Sequence, residues 1–210
     1  MKNLIIIGGG GMGRSVYCIA QGCYGFETDF TIKGFIDDNN HSLDGFKGYP
    51  PVLGTIDDYQ IEPDDVFVCS IGSTKTKKVI CNKLSAKGAR FLPLIHKTAI
   101  IHKNAVVGDG SIVADYALVG ADAIIGSNVL LQSYAVVGHD CIIGDFVRID
   151  THVVCVGGVV IEGTATIHTG AVVSHKVVVG EGAVVAATSF VIKKVKPNTT
   201  VWGNPAKLLN

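Results

Sequence analysis

A histidine followed at once by an aspartate is the feature of this chain best suited to acid–base chemistry. His139 and Asp140 stand in the stretch Val-Gly-His-Asp-Cys-Ile. Histidine takes up a proton near neutral pH, and a neighbouring carboxylate can orient its ring or raise its basicity. A general base of this kind contributes roughly 10²- to 10⁴-fold to a rate. We therefore predict that His139 is a catalytic base and that Asp140 assists it.

A glycine-rich loop near the N-terminus has the spacing of a phosphate-binding turn. Gly8, Gly10 and Gly13 satisfy the pattern G-x-G-x-x-G after the apolar run at residues 4–7. Glycines let the backbone approach a phosphate, and a helix N-terminus donates free N–H groups. A tight turn without a ligand also fits, and a redox dinucleotide site would need a larger α/β unit. We favour a nucleotide held by its phosphates.

The segment around this loop has the pattern of a small parallel α/β unit. We predict strands at residues 4–7, 31–36, 65–71 and 90–95, and helices at residues 15–21 and 75–86. The second strand ends at Asp37 and Asp38, where an acidic side chain can meet a ribose hydroxyl or a base edge. A nucleotide would therefore lie along the ends of these strands.

The rest of the chain carries a six-residue repeat. From Ile101 to Val191 every sixth residue is apolar, and the residue two places earlier is mostly small. A regular strand repeats every second residue and a helix every third or fourth, so a period of six indicates short strands joined by fixed corners. Three hexads make one coil, which predicts a left-handed parallel β-helix of about five coils. The fold class is thus a Rossmann-like half domain, residues 1–95, followed by a β-helix with a C-terminal tail, residues 96–210.

Polar residues at the corners of the predicted β-helix stand out against small ones. At eighteen residues a coil, Gln132, Asp150 and His168 stack on one corner. We interpret them as a structural ladder in which Asp150 and His168 bond across coils. On a neighbouring corner Gly157 stacks above His139, where we expect it to leave room for a thin ligand beside the imidazole.

Composition limits the classes of partner. Eighteen basic residues balance eighteen acidic ones, and no charge run supports binding to nucleic acid or a membrane. The apolar run at residues 4–7 is too short for a signal peptide. Six cysteines without C-x-x-C spacing predict reduced core thiols in a cytoplasmic protein. Cys141 and Cys155 fall at inward positions of the repeat, so we do not expect them to act as nucleophiles.

Several of these features together resemble a known family. The hexads, the stretch 135–145 and the motif Val-Trp-Gly-Asn-Pro-Ala-Lys at 201–207 resemble the left-handed β-helix acyltransferases. With the glycine-rich unit and Leu-Ile-His-Lys at 94–97, the whole chain resembles the branch of nucleotide-sugar N-acetyltransferases and sialic-acid O-acetyltransferases. The resemblance implies acetyl-CoA as co-substrate, no metal, and a homotrimer with active sites in grooves between neighbouring β-helices.

The resemblance also implies site residues. The family's base falls on His139 and its acidic helper on Asp140. Acetyl-CoA contacts fall on Arg148, Gly157, Thr169 and Ala187. Sugar-nucleotide contacts fall on Gly10, Gly11, Met12, Asp37, Asp38, Gly72, Lys75 and Gln132. The chain departs from the family where Met12 replaces a usual histidine and Gln132 a usual asparagine, and both changes bear on the acceptor.

The predicted function is direct acetyl transfer to the nitrogen of a nucleotide-linked amino sugar, for surface glycan or glycoprotein synthesis. O-acetylation of sialic acid or another sugar hydroxyl remains an alternative, and so does a non-catalytic sugar-nucleotide-binding protein. A metal hydrolase of the γ-carbonic-anhydrase kind would need three converging histidines. His139, His168 and His175 are available, but the short-spaced histidine pair expected for such a site is missing.

Overall fold

The N-terminal domain is built on a strand of four consecutive buried aliphatic residues, 4–7. The computed structural model describes residues 1–209 and gives the elements β1 (Lys2–Ile7), α1 (Gly11–Gln21), β2 (Phe30–Ile36), β3 (Asp65–Cys69) and α2 (Thr74–Ala86). The strands form a parallel sheet in the order β2-β1-β3. Their carboxyl ends lie at one edge, where the loops that begin at residues 8, 37 and 70 follow. Among residues 1–209 neither helix is long and apolar enough to cross a membrane.

The fourth strand predicted for this sheet, at residues 90–95, is wrong as an extended strand. Phe91 forms an isolated parallel bridge with Phe67, whereas Leu94–Ile95 pairs with Ile112–Val113 in the β-helix. Ile95 lies six residues before Ile101, so the hexapeptide period already runs through it. The apolar run was ambiguous between the two sheets, and the repeat determines where it pairs.

Between residues 94 and 191 the β-helix follows the six-residue period, with two-residue strands joined by four-residue corners. Its strands are β4 (Leu94–Ile95), β5 (Ile100–Ile101), β6 (Val106–Val107), β7 (Ile112–Val113), β8 (Leu118–Val119), β9 (Ile124–Ile125), β10 (Leu130–Leu131), β11 (Val136–Val137), β12 (Ile142–Ile143), β13 (Arg148–Ile149), β14 (Val154–Cys155), β15 (Val160–Ile161), β16 (Thr166–Ile167), β17 (Val172–Val173), β18 (Val178–Val179), β19 (Val184–Val185), β20 (Phe190–Val191), β21 (Thr200–Trp202) and β22 (Lys207–Leu208).

Each strand pairs with the strand three positions later in the chain, one coil further along, and this pairing gives the β-helix three faces. Face 1 runs from β4 through β7, β10, β13, β16 and β19 to β21, with β22 antiparallel at its end. Face 2 comprises β5, β8, β11, β14, β17 and β20, and face 3 comprises β6, β9, β12, β15 and β18. We name the turns between them corner 1–2, corner 2–3 and corner 3–1. The left-handed β-helix has about six coils rather than five, because β4 and β21 extend it beyond the repeat at residues 101–191.

The interior of the β-helix is a continuous column of small and β-branched side chains. Val137, Ile143 and Ile149 point inward and are at most 1% exposed, and Ala135 and Cys141 fill the narrower places two residues earlier. Burial of a valine or isoleucine side chain contributes about 1.5–3 kcal/mol. This column holds the corners at fixed heights, one coil apart.

The N-terminal domain packs on face 1 and corner 3–1. Outward residues of face 1 join one buried cluster with α1, β1 and β2, and these are Leu94, Ile112 and Leu130. From α2, the Thr74 hydroxyl donates to the carbonyl oxygen of Thr164 at 2.7 Å. The ammonium group of Lys77 lies 3.4 Å from the carbonyl oxygen of Asn128, and burial lowers the pKa of Lys77. These contacts fix the loop after β3 against the β-helix.

Candidate active site

His139 and Asp140 occupy the exposed turn of corner 2–3. Imidazole Nδ1 lies 2.7 Å from Asp140 Oδ2, and the two side chains are 64% and 66% exposed. Asp140 has a φ of 57°, a left-handed conformation in which aspartate is enriched. With Nδ1 assigned as the donor to this carboxylate, Nε2 is the ring nitrogen left to accept a proton. The geometry agrees with a general base, and the role of both residues stays a proposal.

Gly157 supports the imidazole ring from the next coil. A Cβ at this buried position would overlap Nε2 and Cε1 of His139. The imidazole thus occupies the space that a side chain at residue 157 would take, and the contact of Gly157 with a thin ligand beside the ring stays a prediction. The absence of a side chain at residue 157 sets the height and tilt of the imidazole.

A second imidazole–carboxylate pair lies at corner 1–2. His168 Nδ1 is 2.9 Å from Asp150 Oδ2, and Gln132 Nε2 donates to Asp150 Oδ1 at 2.9 Å. Arg148 donates to both oxygens, from Nε at 2.6 Å and from Nη2 at 3.1 Å. Asp150 is 3% exposed, and these four bonds compensate its buried charge. The predicted cross-coil ladder is confirmed, with Arg148 as an additional member.

The glycines of the N-terminal loop divide into packed and open positions. Gly8 has a φ of 96°, and a Cβ on Gly13 would overlap the carbonyl oxygen of Gly8. A Cβ on Gly10 would meet no atom within 4 Å, and one on Gly11 would meet only Arg14, at 3.8 Å. Gly8 is required by the turn, and Gly13 is required by the close packing of α1 on β1. Gly10 and Gly11 face open space at the start of α1, which is the arrangement a phosphate requires.

The two aspartates after β2 hold the backbone around this loop. Asp37 accepts the N–H of Gly9 at 2.7 Å, and Asp38 accepts the N–H of Ile56 at 3.0 Å. Each keeps acceptor capacity, and Asp38 is exposed. Met12 differs from the neighbouring glycines, because it is partly buried and packs against the cluster beneath the sheet. The structure thus places all these predicted residues at one edge, with Met12 turned toward the core cluster.

The loop after β3 faces corner 1–2 across a cavity of about 340 Å³. Gly72 and Lys75 line it from the N-terminal domain, and Arg148 and His168 line it from the β-helix. Arg148 Nη1 donates to the carbonyl oxygen of Gly72 at 3.3 Å. Gln132 is held at the same corner by Asp150. The structure therefore groups Arg148, predicted as an acetyl-CoA contact, with residues predicted to bind the acceptor.

The other predicted acetyl-CoA contacts lie on two corners. Thr169 and Ala187 are exposed and stack one coil apart on corner 1–2, whereas Gly157 lies on corner 2–3 next to His139. Both side chains are short, and their contact with acetyl-CoA stays a prediction. Face 2 separates the two corners, so these residues do not meet within one chain.

The thiols of the β-helix are core residues. Cys141 and Cys155 are fully buried, and burial raises the pKa of both thiols. A raised pKa disfavours the nucleophilic thiolate. All six cysteines are free and only Cys18 is exposed, which confirms the prediction of core thiols for the other five.

The histidines are spread over different corners. Among residues 1–209 no three His, Cys, Asp or Glu side chains cluster as a metal ion would require. His168 lies on corner 1–2, whereas His139 and His175 lie on corner 2–3. The three histidines considered for a metal hydrolase are thus divided between two corners of the β-helix.

Sequence reasoning missed the tether from Arg148 to Gly72 and the position of His168 in the cavity. A signal was available in the outward residues of face 1, of which only one is charged: Leu94, Ile112, Leu130, Arg148, Thr166, Val184 and Thr200. A charged side chain on such a face needs a partner. Asp150, two residues later, is that partner.

Two family descriptions match the chain. Residues 3–84 match the PglD N-terminal domain, and residues 122–157 match the bacterial transferase hexapeptide family of six repeats. The first covers the sheet, α1 and most of α2, and the second covers the coils that carry His139. No curated protein matches the chain significantly.

Solved structures match the chain end to end. The acetyltransferase domain of PglB from Neisseria gonorrhoeae FA1090 is 29% identical over 100% of both chains, with a TM-score of 0.89. WeeI from Acinetobacter baumannii AYE is 27% identical over 100% of both chains, with a TM-score of 0.87. PerB from Caulobacter crescentus, in complex with CoA and GDP-perosamine, shares the fold at 24% identity over 100% of this chain and 98% of PerB, with a TM-score of 0.88. The chain is therefore an acyltransferase and belongs to the left-handed β-helix, hexapeptide-repeat acetyltransferases that carry a PglD-type N-terminal domain.

Proposed function

We propose that this enzyme transfers the acetyl group of acetyl-CoA to the amino group of a nucleotide-linked amino sugar. The observation that carries the proposal is the His139-Asp140 pair, exposed at corner 2–3 with Nε2 free. The PglB domain has also been solved with acetyl coenzyme A, and PerB with GDP-perosamine, which supports this pair of substrates. The enzyme would act in the cytoplasm, and its product would serve surface glycan or glycoprotein synthesis.

His139 acts as the general base of a direct transfer. Nε2 takes a proton from the acceptor amine as the amine nitrogen attacks the carbonyl carbon of the thioester. The C–N bond forms, the C–S bond breaks, and the imidazolium returns the proton to the departing thiolate. Asp140 stabilises the imidazolium through Nδ1, and a backbone N–H of an adjacent coil stabilises the developing oxyanion. No acyl-enzyme is required, in keeping with the burial of Cys141 and Cys155.

The active site is shared between copies of the chain in a homotrimer. Face 1 carries the N-terminal domain, which leaves faces 2 and 3 to meet other copies. Their most exposed outward residues are apolar: Ile100, Val106, Ile124 and Ile142. Exposed apolar stripes of this kind mark protein interfaces. Corner 2–3 of one copy, with His139, would then face corner 1–2 of its neighbour, with Thr169 and Ala187, across a groove for acetyl-CoA.

The acceptor lies along the carboxyl edge of the sheet. The order β2-β1-β3 places Asp38 at one end, the open glycines Gly10 and Gly11 in the middle, and Gly72 with Lys75 next to the β-helix. A base beside Asp38 and phosphates at the start of α1 would direct the sugar toward Gly72 and Lys75. The amino group then points to the groove that the neighbouring copy closes with its base.

Release of CoA thiol tests the reaction. The assay uses acetyl-CoA with UDP-, dTDP- and GDP-linked 4-amino sugars and with sialic acid, for the native enzyme and for His139→Ala. Turnover of one amino sugar that falls by about 10² or more in the variant supports the proposal. Turnover of hydroxyl acceptors alone would assign O-acetylation. Binding of sugar nucleotides without any turnover would leave a non-catalytic binding protein.

Mixing two inactive variants tests the shared site. His139→Ala lacks the base, and Gly10→Glu adds a carboxylate at the start of α1, where a Cβ would meet no protein atom within 4 Å. Co-expressed under separate tags, the two variants should form mixed trimers that regain activity, because some grooves combine two native halves. Light scattering should give a mass three times that of the 22.0 kDa chain. Mixed trimers without activity would place base and acceptor loop in the same chain's site.

A further inference from the structure

The cavity between the loop after β3 and corner 1–2 contains a histidine that the proposed mechanism does not use. His168 lines this cavity of about 340 Å³ together with Gly72, Lys75 and Arg148. Its side chain is 39% exposed, while its carboxylate partner, Asp150, has a side chain only 5% exposed. One edge of the His168 ring is therefore held by the buried carboxylate of Asp150, and the other edge is open to the cavity.

The hydrogen-bond network assigns the two ring nitrogens of His168. Both oxygens of Asp150 are saturated, each by two donors, and one of these donors is His168 Nδ1 at 2.9 Å. A carboxylate accepts and does not donate, so Nδ1 carries a proton. Nε2 then has a free lone pair in the neutral ring. His168 thus offers the cavity one oriented hydrogen-bond acceptor.

Arg148 ties this acceptor to the loop that follows β3. Its Nε and Nη2 are bound by Asp150, and its Nη1 donates to the carbonyl oxygen of Gly72 at 3.3 Å. Two of the five guanidinium N–H groups remain without a partner in this set. The wall next to Gly72 thus offers N–H donors beside the Nε2 acceptor, which is the pattern that sugar hydroxyls satisfy.

The position of the cavity follows from the order of the strands. Passing from β2 to β1 to β3 leads from Asp38 to the open glycines and then to Gly72. The next group in that direction is Arg148 with His168. A ligand whose phosphates lie at the start of α1 has its sugar at this wall, a step that rests on the proposed function.

We propose that His168 determines acceptor specificity by accepting a hydrogen bond from a hydroxyl of the amino sugar, with Asp150 as its positioning residue. This role differs from that of His139, which removes the proton of the attacking amine. His168 contacts a part of the sugar that does not react. It contributes equally to the bound substrate and the transition state, so its loss should raise KM for the acceptor and leave kcat unchanged.

The test is the variant His168→Asn. The asparagine amide can still donate to Asp150 in place of Nδ1, but no atom replaces Nε2. We expect KM for the amino sugar to rise about 10-fold, as for the loss of one hydrogen bond in a binding site, with KM for acetyl-CoA unchanged. The control is His152→Asn, an exposed histidine of the same corner stacked on Tyr134 outside the cavity, which should change neither constant.

Calorimetric binding separates this proposal from the proposed function. The probes are GDP-perosamine and dTDP-4-amino-4,6-dideoxyglucose, each beside GDP or dTDP alone. His168→Asn should weaken binding of an amino-sugar nucleotide and leave the nucleoside diphosphate unaffected. Equal binding of the sugar nucleotide to native and variant enzyme, or a rise in KM for acetyl-CoA alone, would overturn the proposal. If neither these nucleotides nor the UDP-linked 4-amino sugars of the CoA-release assay bind the native enzyme, the proposed function fails along with it.

A second variant keeps the test decisive if His168→Asn is unstable. Thr166 lines the same cavity on face 1 and belongs to no bond of the Asp150 network. Thr166→Phe should fill the sugar space and weaken the amino-sugar nucleotide by about 10-fold or more, with the nucleoside diphosphate unaffected. Unchanged binding of both ligands would mean that the sugar lies elsewhere.

Discussion

The two imidazole–carboxylate pairs of this enzyme are built in opposite ways. At corner 2–3 the partners are adjacent in sequence and both exposed, and they belong to a single turn of the chain. At corner 1–2 the partners are one coil apart, the carboxylate is buried, and an arginine and a glutamine share it. The first pair can change charge at little cost to the fold. The second is part of the packing between coils and offers a fixed hydrogen-bonding edge.

The two imidazole–carboxylate pairs should differ most in their effect on kcat. His139→Ala should lower kcat by about 10² to 10⁴ with little change in the free energy of unfolding, because the ring is exposed. The measurement is steady-state CoA release, with His102→Ala as a control on the same corner of an earlier coil. A loss in kcat as large for His168→Asn would mean that the two histidines share the proton transfer.

Substitution of Gly157, which packs against the His139 ring, should displace that ring. Gly157→Ala introduces a Cβ that overlaps His139 Nε2, so the imidazole must move. A displacement of the order of 1 Å costs about 10²-fold, seen in kcat at saturating acetyl-CoA. The control is Gly163→Ala, whose Cβ would contact only the carbonyl oxygen of Asp145, at 3.4 Å. If only KM for acetyl-CoA rises, Gly157 is a cofactor contact and does not hold the base.

The buried carboxylate should matter for stability. Asp150→Asn replaces an acceptor of four bonds with a neutral amide that must present N–H groups to Arg148 or His168. We expect the free energy of unfolding to fall by about 1–3 kcal/mol, measured by urea denaturation of the native and variant enzymes. An unchanged unfolding transition would show that the network is loosely held and cannot position His168.

The exposed carboxylate should have the smallest effect. Asp140→Asn retains a residue that tolerates a φ of 57° and removes the charge beside His139. Exposed ion pairs contribute up to about 1 kcal/mol, so kcat should fall by less than about 10-fold with no change in unfolding. A far larger loss in kcat would mean that the corner is desolvated in the assembled enzyme.

The β-helix could be predicted from the sequence because its inward-facing core residues recur at every sixth position. Inward side chains such as Val137 and Ile143 must fill a narrow triangle, and only a few residue types do so. The coil count was low because the regular hexads stop at Val191, whereas the chain closes with β21 at Thr200–Trp202. The strand predicted at residues 90–95 failed for a related reason, since an apolar run does not say which sheet it joins.

The candidate site was predicted in part. His139 and Asp140 are neighbours in sequence, so their pairing could be inferred without a fold. The contact between Arg148 and Gly72 joins residues 76 positions apart in two domains with different periodicities, and no spacing rule connects them. The separate roles of Gly10 and Gly13 likewise depend on what a Cβ would touch, which the motif alone does not specify.

The contacts of α2 with corner 3–1 also limit how this repeat can evolve. Solenoids commonly gain or lose whole repeats, because each coil contacts only its neighbours. Here one short helix reaches Asn128 through Lys77 and Thr164 through Thr74, two coils apart. An inserted or deleted coil between those positions would break one of the two contacts and shift the N-terminal domain along the β-helix axis. The coils that follow Thr164 lie outside this span, so we expect the repeat to grow or shorten there.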